Sequence, residues 1–201
     1  MIITAESGIE ISKEELKKLP RDFFKGEVVL IETTEDAIAA AAILSVEGVI
    51  GVDTETKPSF KKGQRNTACL LQLATKDISF LLRIHKFKLP QEILDLFNDE
   101  KIIKSGVAVI DDFKELQRSY SFTPRSIVDL NLLAPKYGFK SIGAQKLTGI
   151  LLGFYLSKRQ QVSNWEAESL SEGQMRYAAS DAWVGREIYL KLVQMDRVQR
   201  N

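Results

Sequence analysis

Two carboxylates one residue apart close an apolar run, the segment VIGVDTE of residues 49–55. Alternate side chains of a strand share a face, so Asp53 and Glu55 lie together with Cα atoms roughly 6.6 Å apart. Two desolvated like charges raise each other's pKa unless a positive charge compensates. Lysine, arginine or a hard divalent cation can supply that charge. The alternative is a solvated strand end, where acidic residues are common.

Two further aspartates, Asp111 and Asp112, stand where a helix is predicted to begin after an apolar strand. Loops in this position often carry the functional groups of α/β proteins. Aspartate is also a favoured N-cap that suits the positive end of the helix dipole. We therefore expect one of the two to cap the helix and leave the other free to point elsewhere.

Near the end of the chain, Tyr177 and Asp181 are four residues apart in a predicted helix. This spacing places both side chains on one helix face. The small residues between them, AAS, let the helix approach a sheet closely. Taken alone, the pattern equally fits a packed helix with one carboxylate at its edge.

The elements that position these residues predict an α/β fold. Capping-box residues from Ser12 to Glu15 indicate a short helix in an N-terminal arm, residues 1–27. The strand pattern of residues 68–74 and 78–84 is joined by a tight turn, which requires antiparallel pairing. Later strands alternate with helices. We expect one domain, residues 28–201, built on a mixed β-sheet flanked by helices.

Composition argues against a disordered protein and against a membrane protein. The 201 residues are 44% hydrophobic and 27% charged with a formal net charge of +1, values typical of a soluble globular chain. Any anionic ligand must therefore be held by local charge. The single cysteine, Cys69, predicts a reducing compartment such as the cytoplasm. Without an apolar run of membrane-spanning length, no membrane association is expected.

Three segments together resemble the motifs of the DEDD-type 3′–5′ exonucleases, in the subgroup that carries a tyrosine. They are VDTE at 52–55, KSGVAVIDD at 104–112 and YAASD at 177–181, supported by SNWE at 163–166. The motifs resemble the Werner syndrome exonuclease domain more closely than ribonuclease D. The resemblance implies a ribonuclease H-like fold and removal of nucleotides from a 3′ end with two divalent cations, Mg²⁺ or Mn²⁺.

By the same resemblance, four carboxylates are metal ligands, and Tyr177 orients the attacking water. The ligands are Asp53, Glu55, Asp112 and Asp181. Asp112 is chosen over Asp111 because of its spacing from the preceding Gly-Val pair, which leaves Asp111 as a cap or as support for the ligands. Four carboxylates carry about the charge that two divalent cations require.

The substrate strand needs positive charge. No acidic residue stands between Asp129 and Glu166, a stretch that contains several basic residues. A run of this kind is usually a solvated surface, but it lies between two of the motifs, and a second basic group follows the first motif. The residues expected to contact nucleic acid are Lys57, Arg65, Lys146, Lys158 and Arg159.

Two functions remain open. The first is an active exonuclease on a single-stranded 3′ end, with DNA favoured over RNA by the closer resemblance and RNA trimming as a variant. The second is a nucleic-acid-binding module of the same fold that has lost catalysis. Retention of four carboxylates and the tyrosine favours the enzyme.

Overall fold

The computed structural model describes residues 8–57 and 67–200, with side chains described to residue 196. The helices are α1 (Lys13–Lys18), α2 (Thr34–Leu44), α3 (Gln91–Asn98), α4 (Val109–Leu116), α5 (Leu130–Leu133), α6 (Ala144–Leu151) and α7 (Glu172–Arg200), with a 3₁₀ helix at Ala134–Tyr137. The strands are β1 (Glu27–Ile31), β2 (Val49–Thr56), β3 (Ala68–Ala74), β4 (Ile78–Leu82), β5 (Ile103–Gly106) and β6 (Ile127–Asp129).

Six strands form one mixed sheet in the order β1-β4-β3-β2-β5-β6. The β2–β3 and β3–β4 pairs are antiparallel, as the tight turn between β3 and β4 predicts. The β1–β4, β2–β5 and β5–β6 pairs are parallel. The predicted α/β architecture of a mixed sheet flanked by helices in a single domain is therefore confirmed.

Apolar side chains cover both faces of the sheet. On one face, Ile50 and Val52 of β2 pack with α2, α3 and α4 in a continuous buried cluster. On the other face, α7 lies across the sheet with Ala178, Ala179 and Ala182 fully buried. Because adjacent residues of a strand point to opposite faces, Asp53 and Glu55 face α7.

The N-terminal arm is part of the packed structure. The predicted capping box is present at α1, where Ser12 and Glu15 exchange hydrogen bonds. Phe24 is buried and packs against Trp183 of α7. No helix in the described parts of the chain combines the length and apolar character needed to cross a membrane.

The start of α4 differs from the prediction. The helix begins at Val109, after Ala108 in a left-handed conformation, so Asp111 and Asp112 both lie inside its first turn. The capping carboxylate is that of Asp129, which accepts hydrogen bonds from the backbone N–H groups of Ala108 (3.1 Å) and Ile110 (3.4 Å). Assigning a cap to Asp111 or Asp112 was therefore wrong.

Candidate active site

Strand β2 carries the first two carboxylates to the edge of a pocket. It lies between β3 and β5 in the sheet, and its pairing with β3 shifts register between Glu55 and Thr56. Bulges of this kind end regular pairing and re-aim side chains. Strand alternation places Asp53 and Glu55 on the α7 side, and the register shift ends the regular pairing directly after them.

Helix α7 brings the third carboxylate into contact with this pair. One carboxylate oxygen from each of Asp53, Glu55 and Asp181 lies within 4.8 Å of the others. The close approach is possible because Gly51 has no side chain: a Cβ there would lie 1.9 Å from the carbonyl oxygen of Ala182. Glycine on the strand and alanine on the helix therefore set the separation of the acidic groups.

The fourth carboxylate, Asp112, reaches the site from α4 on the opposite face of the sheet. The hydroxyl of Thr54 donates a hydrogen bond of 2.6 Å to its Oδ1 atom, and this fixes its orientation at the end of β2. Asp112 lies outside the group of three but raises the pKa of Asp53 and Glu55 electrostatically. Its neighbour Asp111 is exposed and pairs with Lys114 at 2.8 Å. The helix thus directs only one of the two aspartates inwards.

The four carboxylates are desolvated and repel one another. Burial, then the neighbouring charges of Asp112, Asp181 and Glu55, raises the pKa of Asp53 well above its usual range. Burial and the nearby aspartates raise the pKa of Glu55 to about 8. Burial raises the pKa of Asp112 and of Asp181 to about 7 each, against opposing hydrogen bonds. Protons or cations are needed to neutralise such a cluster near neutral pH.

This donor set fits divalent cations. Carboxylate oxygens are the ligands that Mg²⁺ and Mn²⁺ prefer, and three of them converge here from two elements distant in sequence. The positive charge of Lys158 lowers the pKa of Asp181, but one ammonium group does not offset four carboxylates. The acidic cluster is therefore a candidate cation site, one of the alternatives that the alternating pattern of β2 left open.

Tyr177 lies one helical turn before Asp181 and lines the same pocket. Burial, then the charge of Asp181, raises the pKa of the Tyr177 hydroxyl, so the group stays protonated near neutral pH. Its ring packs against Trp165, with ring centroids 6.0 Å apart. A protonated hydroxyl held rigidly beside a carboxylate suits the positioning of a water molecule better than it suits a base.

Trp165 is a site residue whose role the sequence pattern did not reveal. Its side chain is fully buried. In addition, its indole N–H faces Glu55 and lowers the pKa of that carboxyl group. The loop that carries it is held by fully buried Arg83, which donates to the carbonyl oxygens of Ala167 and Glu168. In the sequence, the only indication that Trp165 lies near the carboxylates was its position within the SNWE segment.

The predicted basic residues are dispersed. Lys158 lines the carboxylate pocket, a cavity of about 260 Å³. Lys57 pairs with Glu166 at 2.8 Å, and Arg159 lines a neighbouring cavity. Lys146, on α6, is not among the residues that line the carboxylate pocket. Arg65 falls outside the described residues.

Comparison with known proteins identifies the family. A sequence model of the 3′–5′ exonuclease family matches residues 28–196. The chain is 37% identical over 134 residues to exonuclease 3′-5′ domain-containing protein 2 of Drosophila melanogaster, covering 65% of this chain and 23% of that protein. It is 33% identical over 156 residues to the mouse bifunctional 3′-5′ exonuclease/ATP-dependent helicase WRN, and the match covers 74% of this chain and 11% of that protein.

Among solved structures, ribonuclease D of Escherichia coli, an exoribonuclease, superposes with a TM-score of 0.78 at 22% identity. The match covers 86% of this chain and 46% of that one, and it shows a shared fold. The chain spans about a quarter of the length of exonuclease 3′-5′ domain-containing protein 2 from fly, mouse and human. With the family match over most of its length, the chain belongs to the 3′–5′ exonuclease family.

Proposed function

We propose that this chain hydrolyses nucleotides from the 3′ end of single-stranded DNA. The observation that carries the proposal is the convergence of Asp53, Glu55 and Asp181 within 4.8 Å, with Asp112 beside them. In this proposal these four carboxylates hold two divalent cations, Mg²⁺ or Mn²⁺. When bound, such a pair stabilises both the attacking and the leaving oxygen of an in-line displacement at phosphorus.

The chain's own groups orient the reactants. Tyr177 orients the attacking water through its hydroxyl, which remains protonated because its pKa is raised. Thr54 holds Asp112 by the 2.6 Å hydrogen bond, and the ring of Trp165 packs against the ring of Tyr177. A rigid set of donors and acceptors lowers the barrier because little reorganisation remains at the moment of reaction.

Positive charge near the pocket attracts the substrate strand. Lys158 stands beside Asp181 on the pocket wall, where an ammonium group favours the approach of a phosphate. We include the other predicted basic residues, Lys57, Arg65, Lys146 and Arg159, as further strand contacts. Charge reversal of Lys158 and Arg159 together should weaken oligonucleotide binding and flatten its dependence on salt. Unchanged binding across a salt series would remove them from the proposal.

RNA is the second candidate substrate. A curated ribonuclease D that is 29% identical over 174 residues favours it, whereas the closer motif resemblance to the Werner syndrome exonuclease domain favours DNA. Oligomers of DNA and RNA, labelled at the 5′ or the 3′ end, separate these possibilities when each is incubated with Mg²⁺, Mn²⁺ or EDTA. We expect progressive shortening from the 3′ end with either metal and none in EDTA. A nucleic-acid-binding module that has lost catalysis would leave every oligomer intact.

Adjacent aspartates provide a matched pair for testing the site. Asp112→Ala should abolish hydrolysis because it removes a carboxylate directed at the pocket. Asp111→Ala should retain activity because that side chain is exposed and pairs only with Lys114 among the described residues. Asp53→Ala serves as a second inactive variant. Full turnover by Asp112→Ala or by Asp53→Ala would reject the assignment.

A further inference from the structure

The N-terminal arm is locked onto the helix that carries Tyr177. The backbone N–H of Phe24 donates a buried 3.0 Å hydrogen bond to the hydroxyl of Ser180, on α7. Arg21 forms an isolated parallel β-bridge with Tyr155. These arm residues precede residue 28, where the match to the family begins. The arm is thus fixed in register with the active-site helix.

This docking creates a second cavity of about 380 Å³ beside the carboxylate pocket. The arm, the segment at residues 155–160 and α7 form its walls. Leu156 and Tyr177 line both cavities, so the two adjoin one another. The volume falls within the range of small-ligand sites, roughly 300–1,000 Å³. We call it the arm pocket.

Three arginines, Arg21, Arg159 and Arg176, line the arm pocket. Two of them lie over aromatic rings: the guanidinium of Arg21 is 5.8 Å from the ring centroid of Tyr155, and that of Arg176 is 4.2 Å from that of Phe23. Stacking engages the face of a guanidinium and leaves its N–H groups directed outwards along the edge. Arg21 and Arg176 are therefore oriented before any ligand arrives.

The acidic groups around the pocket neutralise only part of this charge. Asp22 pairs with Lys25 at 2.7 Å, and Glu172 pairs with Arg176. Across the described residues, no carboxylate forms an ion pair with Arg21 or Arg159. Arg21 and Arg159, which line the same cavity and have no acidic partner among the described residues, offer N–H donors for a doubly hydrogen-bonded oxyanion.

We propose that the arm pocket binds a backbone phosphate of the substrate strand, on the 5′ side of the nucleotide being removed. The inference rests on the proposed function, in which the 3′-terminal nucleotide occupies the carboxylate pocket. Every other phosphate of that strand then lies in the 5′ direction. Arg21 and Arg159 bind the phosphate oxygens, and the arm extends the substrate site beyond the carboxylate pocket.

Fluorescence anisotropy with a short 5′-labelled single-stranded oligonucleotide, in EDTA so that the strand is not cut, tests the proposal. Arg21→Gln should raise Kd about tenfold or more, since hydrogen bonds to charged groups are strong. The slope of log Kd against log salt should become shallower by about 0.7 for one lost phosphate contact. Arg125→Gln, which removes the same charge beside Glu100 before β6, should bind like the wild type.

Two further assays separate this inference from the proposed function. Arg21→Gln should hydrolyse the p-nitrophenyl ester of thymidine 5′-monophosphate, which has no upstream phosphate, with wild-type kcat and KM. If the wild type cuts neither DNA nor RNA, the proposed function fails, but the anisotropy result still decides the arm pocket. Equal Kd values for Arg21→Gln and Arg125→Gln would overturn the inference. So would an equal loss of affinity for a nucleoside 5′-monophosphate, which would assign the pocket to free nucleotide.

Discussion

Replacing Gly51 by alanine should separate the helix and the strand that hold the acidic cluster. A Cβ at Gly51 would lie 1.9 Å from the carbonyl oxygen of Ala182 and 2.8 Å from its carbonyl carbon. Both neighbours are backbone atoms, so no side chain can rotate away to relieve the overlap. The only relief is a movement of α7 away from β2.

The size of that movement follows from the contact distances. Ordinary van der Waals contact begins at 3.4 Å, so the overlap at Gly51 is about 1.5 Å deep. Overpacking of this kind costs about 1–3 kcal/mol in the free energy of unfolding. A misplacement of about 1 Å at a reacting centre costs on the order of 100-fold in rate. We therefore expect Gly51→Ala to lose at least that factor in kcat, because Asp181 moves with the helix.

Two other glycines calibrate the effect. Gly48 precedes the same strand and has nothing within 4 Å of an added Cβ, so Gly48→Ala should keep wild-type stability and kcat. Gly185, on α7, would bring a Cβ to 3.0 Å from the carbonyl oxygen of Ser105, so its alanine variant should be intermediate. Urea unfolding and exonuclease rates with Mg²⁺ measure both quantities. Wild-type activity and stability in Gly51→Ala would refute the close approach of α7 to β2.

Two other predictions concern the charge and the hydroxyl at the site. In EDTA, the melting temperature should fall as pH rises from about 4 to 8, because Glu55 has a folded pKa of about 8 and Asp181 one of about 7, above unfolded values near 4. The folded state then binds more protons than the unfolded state between about pH 4 and 8. Asp181→Asn should make the melting temperature less dependent on pH, and Mg²⁺ should restore the melting temperature at high pH. A melting temperature that rises with pH in EDTA would contradict this prediction. Tyr177→Phe should lower kcat by roughly 10- to 100-fold with little change in KM, as the loss of a hydrogen bond of about 1.5–3 kcal/mol implies; a wild-type kcat would exclude an orienting role.

Sequence patterns predicted those features of the fold and the site that depend only on neighbouring residues of one strand or helix. Alternation along β2 places Asp53 and Glu55 on one face, and the four-residue spacing in α7 places Tyr177 with Asp181. The small residues of α7 predicted close packing against the sheet, and the structure shows it at Gly51. The tight turn after β3 fixed antiparallel pairing with β4.

Contacts between distant segments were harder to predict. The cap of α4 comes from Asp129, about twenty residues later, and a local reading of Asp111 and Asp112 could not reveal it. Convergence of the acidic groups on one pocket was predicted only through the resemblance of three motifs. The role of Trp165 depends on a loop folded back over Glu55, and the arm pocket depends on where Phe24 docks.

Calorimetric titration with Mn²⁺ in the presence of a nucleoside 5′-monophosphate measures directly whether the acidic cluster binds cations. We expect the wild type to bind two Mn²⁺ ions per chain, and Asp53→Asn to bind fewer because it lacks a carboxylate of the cluster. Absence of Mn²⁺ uptake by the wild type, or equal uptake by Asp53→Asn, would contradict the account.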